Sequence, residues 1–425
     1  MKLAQPLLRR KLKKRAQAEP LYGQFIEERF GHYSQPQHEN WIWIHAVSLG
    51  ETRTAGILLP HLRASLPGMK LLLTHGTATG REEGLKLLQA GDIQVWQPWD
   101  APNIVRRFFK AFQPRMGLIM ETEVWPCWVH QAKKHHVPLY LINARMSEKS
   151  MHKAMQWPSL MGPAFAGLKA VLAQTPDDAQ RFEKLGAIVS GIVGNIKFDA
   201  QADALQMATA KRWKANQTKP IVMLASSREG EEELWLDALQ ANVQHMLSPS
   251  NDPIQCLIVP RHPQRVAAVA QLIESRGIAV SRRSTWGPDG PMVVQGPCIY
   301  VGDSMGEMYL YYGLADAALL GGSFEPLGGQ NLIEAAACGC PVFMGPHTFN
   351  FAQAALSAEA SGAAVRASNM AEAMTAATRM VLNPQLQNLH SEKAVKFAAQ
   401  HRGAAKRTTL AVQAWLAEIK ASAAH

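Results

Sequence analysis

The chain has 425 residues, of which 47% are hydrophobic and 18% are charged. This length and composition are typical of a soluble globular protein with two domains, or three small ones. The formal net charge of +10 favours anionic partners, which are nucleic acid, anionic lipid or phosphorylated small molecules. Nucleic acid is the weakest of these, because the sequence has neither zinc-finger spacing nor an arginine-rich run with interleaved aromatic residues. No run of 18 apolar residues occurs, so we expect no segment that spans a bilayer.

Residues 1–20 form a basic segment that begins MKLAQPLLRRKLKKRAQ and contains no acid before Glu19. Its basic residues are Lys2, Arg9, Arg10, Lys11, Lys13, Lys14 and Arg15. Two interpretations are open: a solvated tail, or an anchor on an anionic membrane surface. In the second case each basic residue contributes roughly 1 kcal/mol to the free energy of binding to the membrane. Neither an apolar h-region nor a cleavage site follows, so the segment is not predicted to be a signal peptide.

The five cysteines are predicted to be reduced, as in a cytosolic protein. Cys338 and Cys340 are close in sequence, but no further metal-ligand set lies near them. No D-x-D-type motif stands out either. We therefore expect no metal site and no bound cofactor.

Short apolar runs alternate with helical patterns along the whole chain, which predicts an α/β fold with parallel sheets covered on both faces. The runs are WIWIHAV, KLLLTH, IQVWQP, MGLIM, PLYLIN, AVLAQ and AIVSGIVGN, then PIVMLAS, CLIVP, IAV, CIYVG, AALLGG, PVFMG and AAVRA. We predict a doubly wound domain over 21–198, a linker over 199–218, a second such domain over 219–400 and a C-terminal helix over 401–425. Because ligands bind at the carboxyl ends of such strands, functional residues are expected just after strands, in a cleft that the two domains face.

Serine and glutamate recur with the same spacing after three predicted strands. The pairs are Ser48 with Glu51, Ser226 with Glu229, and Ser304 with Glu307. Each pair fits a capping box, in which the serine and the glutamate bond the first amides of a helix. Each glutamate is also at the carboxyl end of a strand, where ligands arrive. Position alone therefore leaves both roles open.

The second half contains a glycine-bounded loop, GGSFEPLGGQNLIEAAACGCPVFMG, over 321–345. Glycine lets the backbone approach a ligand closely, and a helix that begins near Asn331 would offer free amides to a phosphate. Glu334, one turn into that helix, is placed to reach ribose hydroxyls. Arg261 directly follows another strand, where its guanidinium would suit a phosphate or a carboxylate, although a plain surface arginine remains open.

Two further acids and a lysine follow strands of the first half. Glu121 and Glu123 lie in METEVWP, and Lys197 lies in GNIKFDA. Residues two apart do not share a helix face, so we expect only one of the two acids to point towards the cleft. Together with Glu51, these groups indicate acid–base chemistry.

The order of these motifs resembles that of the 3-deoxy-D-manno-octulosonic acid (Kdo) transferases. The matching segments, over about residues 21–400, are HAVSLGE, METEVWP, INARMSEKS, GNIKFD, PRHPQR, GDSMGEM, GGSFEPLGGQNLIEAAA and GPHTFNF. The resemblance implies a GT-B fold with the acceptor on the first Rossmann-like domain and the nucleotide donor on the second. It implies inverting transfer of Kdo from CMP-Kdo to a lipid A precursor in the membrane leaflet, at the cytoplasmic face of the inner membrane. Partners would be these two substrates and the anionic membrane surface, without nucleic acid or metal.

The same resemblance assigns roles to individual residues. Glu51 would be the general base, and Glu121 and Lys197 would stabilise the transition state. The residues expected to contact CMP-Kdo are Pro260, Arg261, Met305, Gly306, Glu307, Asn331, Leu332, Ile333 and Glu334. Domain closure is expected, because these groups come from both halves of the chain.

Some positions depart from the pattern of this family. An apolar membrane anchor usually begins these enzymes, and here the basic segment stands in its place. Cys127 replaces a usual asparagine, Arg81 ends TATGR where TPTGS is typical, and Arg228 replaces a histidine. We expect Arg81 and Arg228 to bear on acceptor preference, since both lie at predicted helix starts.

Two other functions remain open at this stage. Another GT-B enzyme, such as a UDP-sugar transferase or epimerase, would share GGQNLIEAAA but lack METEVWP together with NIKFD. A non-catalytic two-domain binding protein would need no acid in its cleft, and periplasmic examples carry a signal peptide.

Overall fold

A computed structural model describes residues 5–34, 40–246, 253–292 and 296–423 of the chain. The described chain divides into two compact units, one built from 1–199 and 402–425 and the other from 200–401. Lys2 and the rest of the first four residues of the predicted basic segment lie outside the described residues.

The first unit contains a parallel sheet of seven strands in the described residues. Its strands are β1 (Ile42–His45), β2 (Leu71–His75), β3 (Ile93–Trp96), β4 (Met116–Met120), β5 (Leu139–Ala144), β6 (Ala170–Ala173) and β7 (Val189–Ile192). Its helices are α1 (Gln5–Ala18), α2 (Leu49–Ser65), α3 (Ala78–Leu85), α4 (Pro102–Phe112), α5 (Pro126–Lys134), α6 (Glu148–Met155), α7 (Pro158–Ala166) and α8 (Pro176–Lys184). The strand order β3-β2-β1-β4-β5-β6-β7 reverses direction between β1 and β4, which is where doubly wound sheets bind ligands.

The second unit has a similar parallel sheet in the order β10-β11-β9-β8-β12-β13-β14. Its strands are β8 (Ile221–Ser227), β9 (Gln255–Pro260), β10 (Ala279–Arg282), β11 (Cys298–Val301), β12 (Ala317–Leu320), β13 (Val342–Met344) and β14 (Ala364–Arg366). Its helices are α9 (Ala204–Lys214), α10 (Glu231–Met246), α11 (Val266–Ser275), α12 (Met308–Leu314), α13 (Leu332–Ala337), α14 (Ala352–Ala360), α15 (Met370–Val381) and α16 (Pro384–Gln400). The prediction of two doubly wound α/β sheets is therefore confirmed, and every quoted apolar run overlaps one strand.

Alternating side chains of each strand form a core on both faces of the sheet. In β1, Trp43 packs in one cluster with Phe108 of α4, whereas Ile44 packs in the other with Leu58 of α2. A strand that is buried on both sides must be apolar at every position, which is why β1 reads as a continuous run.

The ends of the second unit differ from the predicted boundaries. The stretch expected to be a linker contains α9, whose Trp213 is buried and donates its indole N–H to the Pro288 carbonyl at 2.7 Å. The last helix, α17 (Ala404–Ala423), belongs to the first unit. Asp199 accepts hydrogen bonds from the amides of Gly403 and Ala405, and this fixes the start of α17 on the first unit.

Candidate active site

Two predicted acids lie where the strand order of the first unit reverses. Strands β1 and β4 are parallel neighbours, with His45 opposite Ile119 at their carboxyl ends. Glu51 follows β1 in the first turn of α2, and Glu121 directly follows β4. The sheet topology therefore brings together two acids that are 70 positions apart in the sequence.

Glu51 forms part of the cap of α2, as the first interpretation of its motif predicts. The Glu51 amide donates to the Ser48 hydroxyl at 3.3 Å, and that hydroxyl donates to Glu51 Oε1 at 3.0 Å. The second carboxylate oxygen accepts the Val47 amide at 2.8 Å, one residue before the amide that a capping box uses. The side chain is buried, with 9% of the residue exposed. Glu51 therefore does cap α2. The pKa of its carboxyl is determined by the residues around it.

Those surroundings raise the pKa of the Glu51 carboxyl to about 7. Burial is the largest cause, the charge of Glu121 is the next, and Glu123 adds to both, against hydrogen bonds from Val47 and Ser48 that favour the charged form. A carboxyl that titrates near neutral pH can accept a proton more readily than an ordinary glutamate. This property suits a general base.

Glu121 lies in a compact charged cluster. Its Oε1 accepts from Lys197 Nζ at 2.9 Å, and its Oε2 accepts from Arg145 Nε at 2.7 Å. Burial alone would raise the pKa of this carboxyl, but the two cations outweigh burial and lower it. Glu121 therefore stays ionised, while its charge disfavours ionisation of Glu51.

The backbone holds this cluster in an unusual conformation. Glu121 has φ 58° and Asn143, in the neighbouring strand β5, has φ 49°, a left-handed region that non-glycine residues seldom adopt. The Asn143 side chain accepts the Ile196 amide at 2.9 Å, which fixes the 3-10 helix Ile196–Asp199 that carries Lys197. The predicted residues Glu121 and Lys197 are in this way brought into direct contact.

Arg145, whose side chain is half exposed, lies in the segment INARMSEKS, but no role was predicted for it from the sequence. A second signal is its position directly after β5, the same position that Glu121 has after β4. Glu123 has a separate partner, because its carboxylate accepts the Trp125 indole N–H at 2.9 Å. Burial, with a smaller contribution from Glu121, raises the pKa of Glu123.

The glycine-bounded loop of the second unit is held by a buried acid. Glu231, fully buried at the start of α10, accepts the amides of Gly322 at 2.7 Å, Phe324 at 3.1 Å and Arg228 at 2.9 Å. A Cβ at Gly321 would lie 2.3 Å from the Ser226 carbonyl oxygen, so only glycine fits there. The loop backbone after β12 is therefore fixed against the end of β8, where the strand order of this sheet reverses.

The predicted donor-binding residues lie at the end of β9, after β11 and at the start of α13. Pro260 ends β9, and the Arg261 amide donates to the Ser227 carbonyl at 3.0 Å. Met305 is 69% exposed, and Gly306 has φ 79°. Glu307 accepts from Arg283 Nη2 at 3.0 Å.

Asn331 caps α13, one residue before the helix begins, and accepts the Ile333 amide at 3.1 Å. Leu332 and Ile333 are buried at 1% and 0% exposure, so neither side chain is available to a ligand. Glu334 lies in the first turn of α13, as predicted.

The other two serine–glutamate pairs do not form the capping boxes that their spacing allows. Glu307 is itself the N-cap residue of α12, and Ser304 donates to its carboxylate. Ser226 has φ 56° and stands at a register shift in β8, and the neighbouring Ser227 donates its hydroxyl to Glu232 at 3.0 Å. The capping prediction for Ser226 and Glu229 is wrong, because α10 begins at Glu231, after both residues.

Arg81 has a structural role in the first unit. It is 5% exposed, its guanidinium lies 2.6 Å from the Glu28 carboxylate, and it covers the rings of Phe25 and Trp96, each at 4.9 Å. A buried arginine with a buried acid and two aromatic faces as partners is already fully engaged. The expectation that Arg81 bears on acceptor preference is therefore not supported by its position.

Within 5–34, 40–246, 253–292 and 296–423, no group of three or more His, Cys, Asp and Glu side chains could hold a metal ion. In the same part of the chain, no helix is long and apolar enough to cross a bilayer.

Solved structures define the class of fold. A UDP-GlcNAc 2-epimerase from Neisseria meningitidis matches with a TM-score of 0.56 and 12% identity, over 87% of this chain and 99% of the other. A glycosyltransferase from Rickettsia africae also gives a TM-score of 0.56, with 16% identity over 90% and 99% of the two chains. These likenesses concern the fold alone, and they establish the GT-B class of paired Rossmann-like sheets.

Sequence comparison defines the family. The family profile described as 3-deoxy-D-manno-octulosonic-acid transferase (kdotransferase) matches residues 24–200. The 3-deoxy-D-manno-octulosonic acid transferase of Bordetella pertussis is 42% identical over 88% of this chain and 87% of its own length. The chain therefore belongs to the Kdo transferase family and is a glycosyltransferase, which confirms the resemblance inferred from its motifs.

Proposed function

We propose that the protein transfers Kdo from CMP-Kdo to a sugar hydroxyl of a lipid A precursor, with inversion at the anomeric carbon. The observation that carries the proposal is the buried Glu51 carboxyl, whose pKa is raised to about 7 beside the ionised Glu121. Glu51 takes the proton of the acceptor hydroxyl as its oxygen attacks the anomeric carbon of Kdo. The bond to the phosphate oxygen of CMP breaks on the opposite side, and CMP leaves with the electron pair.

The Glu121 cluster serves the same step electrostatically. Positive charge develops on the sugar as the bond to CMP breaks, and a carboxylate that is held in place stabilises it without reorganisation. Lys197 and Arg145 keep Glu121 ionised and fixed in position. In the second unit, Arg261 is assigned to the CMP phosphate because it directly follows β9. Glu334 is assigned to the ribose because it lies in the first turn of α13, the helix that follows the glycine-bounded loop.

Attachment to the anionic membrane surface is proposed for α1. Arg10, Lys11, Lys13 and Lys14 are exposed, and α1 contains no acid. Leu12 holds the helix on the first unit, and Leu7 is 70% exposed. This distribution of charge suits the cytoplasmic face of the inner membrane, where the lipid acceptor would lie.

The test is incubation of the purified protein with CMP-Kdo and the tetra-acylated precursor, followed by the mass of the lipid product. A gain of one, two or three Kdo units supports the proposal and counts the transfers, and no gain contradicts it. A UDP-sugar enzyme is separated by competition, because CMP should displace labelled CMP-Kdo and UDP should not.

A further inference from the structure

Helices α4, α5 and α7 of the first unit enclose a groove of about 530 Å³, here named the α5–α7 groove. Its walls are mainly apolar and include Pro126, Val129, Leu160, Pro163 and Ala164. This volume lies in the range of sites that hold small molecules or single chains of larger ones. A predominantly apolar wall suits a hydrocarbon ligand.

Two further residues of the groove, Gln131 and Cys127, indicate which ligand groups it would accept. Gln131 is 5% exposed, and its side-chain amide oxygen has no hydrogen-bond partner among the described residues. A buried acceptor without a donor is unfavourable, so a hydroxyl or amide N–H of a ligand would be stabilised there. Burial, followed by the charge of Asp100, raises the pKa of the Cys127 thiol to about 11, so Cys127 contributes a neutral sulfur surface.

The helices beside the groove carry only positive charge. Neither α4 nor α5 contains an acid, and their exposed basic residues are Arg106, Lys110, His130, Lys133 and Lys134. Asp100, which precedes α4, accepts the Cys127 amide at 3.4 Å at one end of the groove. The positive charge of the two helices is complementary to a ligand that has both hydrocarbon and phosphate groups.

An exposed apolar surface continues from the groove. Met155, Trp157 and Leu160, at the junction of α6 and α7, are 52%, 65% and 53% exposed, and Leu160 also lines the groove. Exposed apolar residues that adjoin one another mark interaction sites, and tryptophan favours the interface between lipid and water.

One end of the groove, at Pro126, is close in sequence to the acids Glu121 and Glu123. Pro126 starts α5, five residues after Glu121, and the preceding Trp125 donates to Glu123. A ligand that reaches the carboxyl edge of the sheet can therefore extend along α5 into the groove.

We propose that the α5–α7 groove binds one acyl chain of the phosphorylated, acylated acceptor. This inference rests on the proposed function, since it names the part of the chain that recognises the lipid portion of that substrate. The basic residues of α4 and α5 then face the phosphate groups, and Gln131 meets a hydrogen-bond donor near the carbonyl end of the acyl chain.

The test compares Leu160→Asp with Leu410→Asp in the full-length protein. Leu410 is 57% exposed on α17, so the control introduces the same charge at a leucine of similar exposure outside the groove. Each variant is assayed with the acylated precursor and with its de-acylated, still phosphorylated disaccharide. The measured quantity is kcat/KM for the acylated precursor divided by kcat/KM for the de-acylated disaccharide. Because Leu160→Asp loses the burial of one leucine-sized contact with the acyl chain, this ratio should fall by about five- to tenfold. It should stay unchanged in Leu410→Asp.

A second variant and two binding measurements complete the test. Ala166→Phe, at an exposed position on the groove wall, should lower the same ratio without adding charge. An unchanged ratio in both groove variants would overturn the inference. Binding of the groove variants to phosphatidylglycerol vesicles that contain no acceptor is measured as well. If this binding falls by the same factor as the kcat/KM ratio, the inference is overturned, because the surface would then contact bulk membrane. If the unmodified protein transfers no Kdo, the proposed function fails, whereas direct binding of the acylated precursor still tests the groove.

Discussion

Two helix starts in the first unit have the same local structure and different neighbours. At α2, the Glu51 amide donates to Ser48 at 3.3 Å, and at α8 the Asp178 amide donates to Thr175 at 3.2 Å. Each hydroxyl donates back to the carboxylate, at 3.0 Å and 2.6 Å, and both carboxylates also accept one backbone amide from outside the helix. Both acids are buried. Hydrogen bonding within the turn therefore does not distinguish a cap from a catalytic acid.

The difference comes from the strands on either side. Glu51 follows β1, beside β4, and so has the acids Glu121 and Glu123 as neighbours. Asp178 follows β6 and lies 3.9 Å from the guanidinium of Arg181 in its own helix. Strand order thus places other acids beside one cap and not beside the other, and the consequence proposed for Glu51 can be tested at both helix starts.

The largest expected effect is the loss of catalysis on neutralising one of the two acids. Glu51→Gln keeps a side-chain acceptor for the cap but removes the base, so kcat should fall by about 10²–10⁴-fold. Asp178→Asn makes the same change at the matched cap and should keep kcat within a few-fold of wild type. Equal losses in both variants would mean that the cap alone matters. Circular dichroism melts check that both variants are folded.

The next effect concerns the two cations that hold Glu121. Lys197→Ala removes the less exposed partner, with 21% side-chain exposure against 50% for Arg145, and should cost roughly 10–100-fold in kcat. Arg145→Ala should cost less, because solvent screens the more exposed pair. Steady-state rates at saturating substrates measure both. The reverse order would show that Arg145 contacts substrate rather than only supporting Glu121.

A smaller effect is expected on stability. The folded pKa of Glu51, about 7, lies above the ordinary value of 4.5, so the folded state favours the protonated form. The contribution of protonated Glu51 to the free energy of unfolding is complete below pH 4.5 and is lost as the pH rises through about 7. The free energy of unfolding of Glu51→Gln, relative to wild type, should therefore increase between these pH values, by at most about 3 kcal/mol. Urea titrations at pH 5 and pH 8 provide the measurement, and a difference independent of pH would contradict the raised pKa.

The smallest effect is a shift in pH dependence. Glu123 contributes to the raised pKa of Glu51, so Glu123→Gln should move the acid limb of the kcat profile to lower pH. Glutamine can still accept from the Trp125 indole, which keeps the loop in place. Glu148→Gln, at an acid with 76% side-chain exposure in the same unit, is the control and should leave the limb where it is.

Much of this architecture follows from the sequence, because strands buried on both faces must be apolar throughout. The positions of Glu51, Glu121 and Lys197 after strands were accessible for the same reason. Arg145 lies in the quoted segment INARMSEKS, but its role was not predicted, since its ion pair with Glu121 joins residues 24 positions apart in the sequence.

The remaining differences come from contacts between residues far apart in the sequence. Burial of Arg81 depends on Glu28, 53 residues earlier, and α17 joins the first unit through Asp199. The helix start at Glu231 depends on the register shift in β8. The spacing of residues within a short segment does not reveal these long-range contacts. For this reason the caps, the linker and the last helix were harder to assign from the sequence than the strands.

The pH dependence of kcat in the wild-type protein and in Glu51→Gln, measured at saturating substrates, tests the central claim most directly. The account predicts that wild-type kcat falls about tenfold per pH unit below an apparent pKa near 7, and that this limb is absent from the residual rate of Glu51→Gln. Any pH dependence that comes from ionisation of the substrates would appear in both profiles, so the comparison of the two proteins removes it. A wild-type profile that stays flat to pH 5, or a limb that remains in Glu51→Gln, would show that Glu51 caps a helix and does not act as the base.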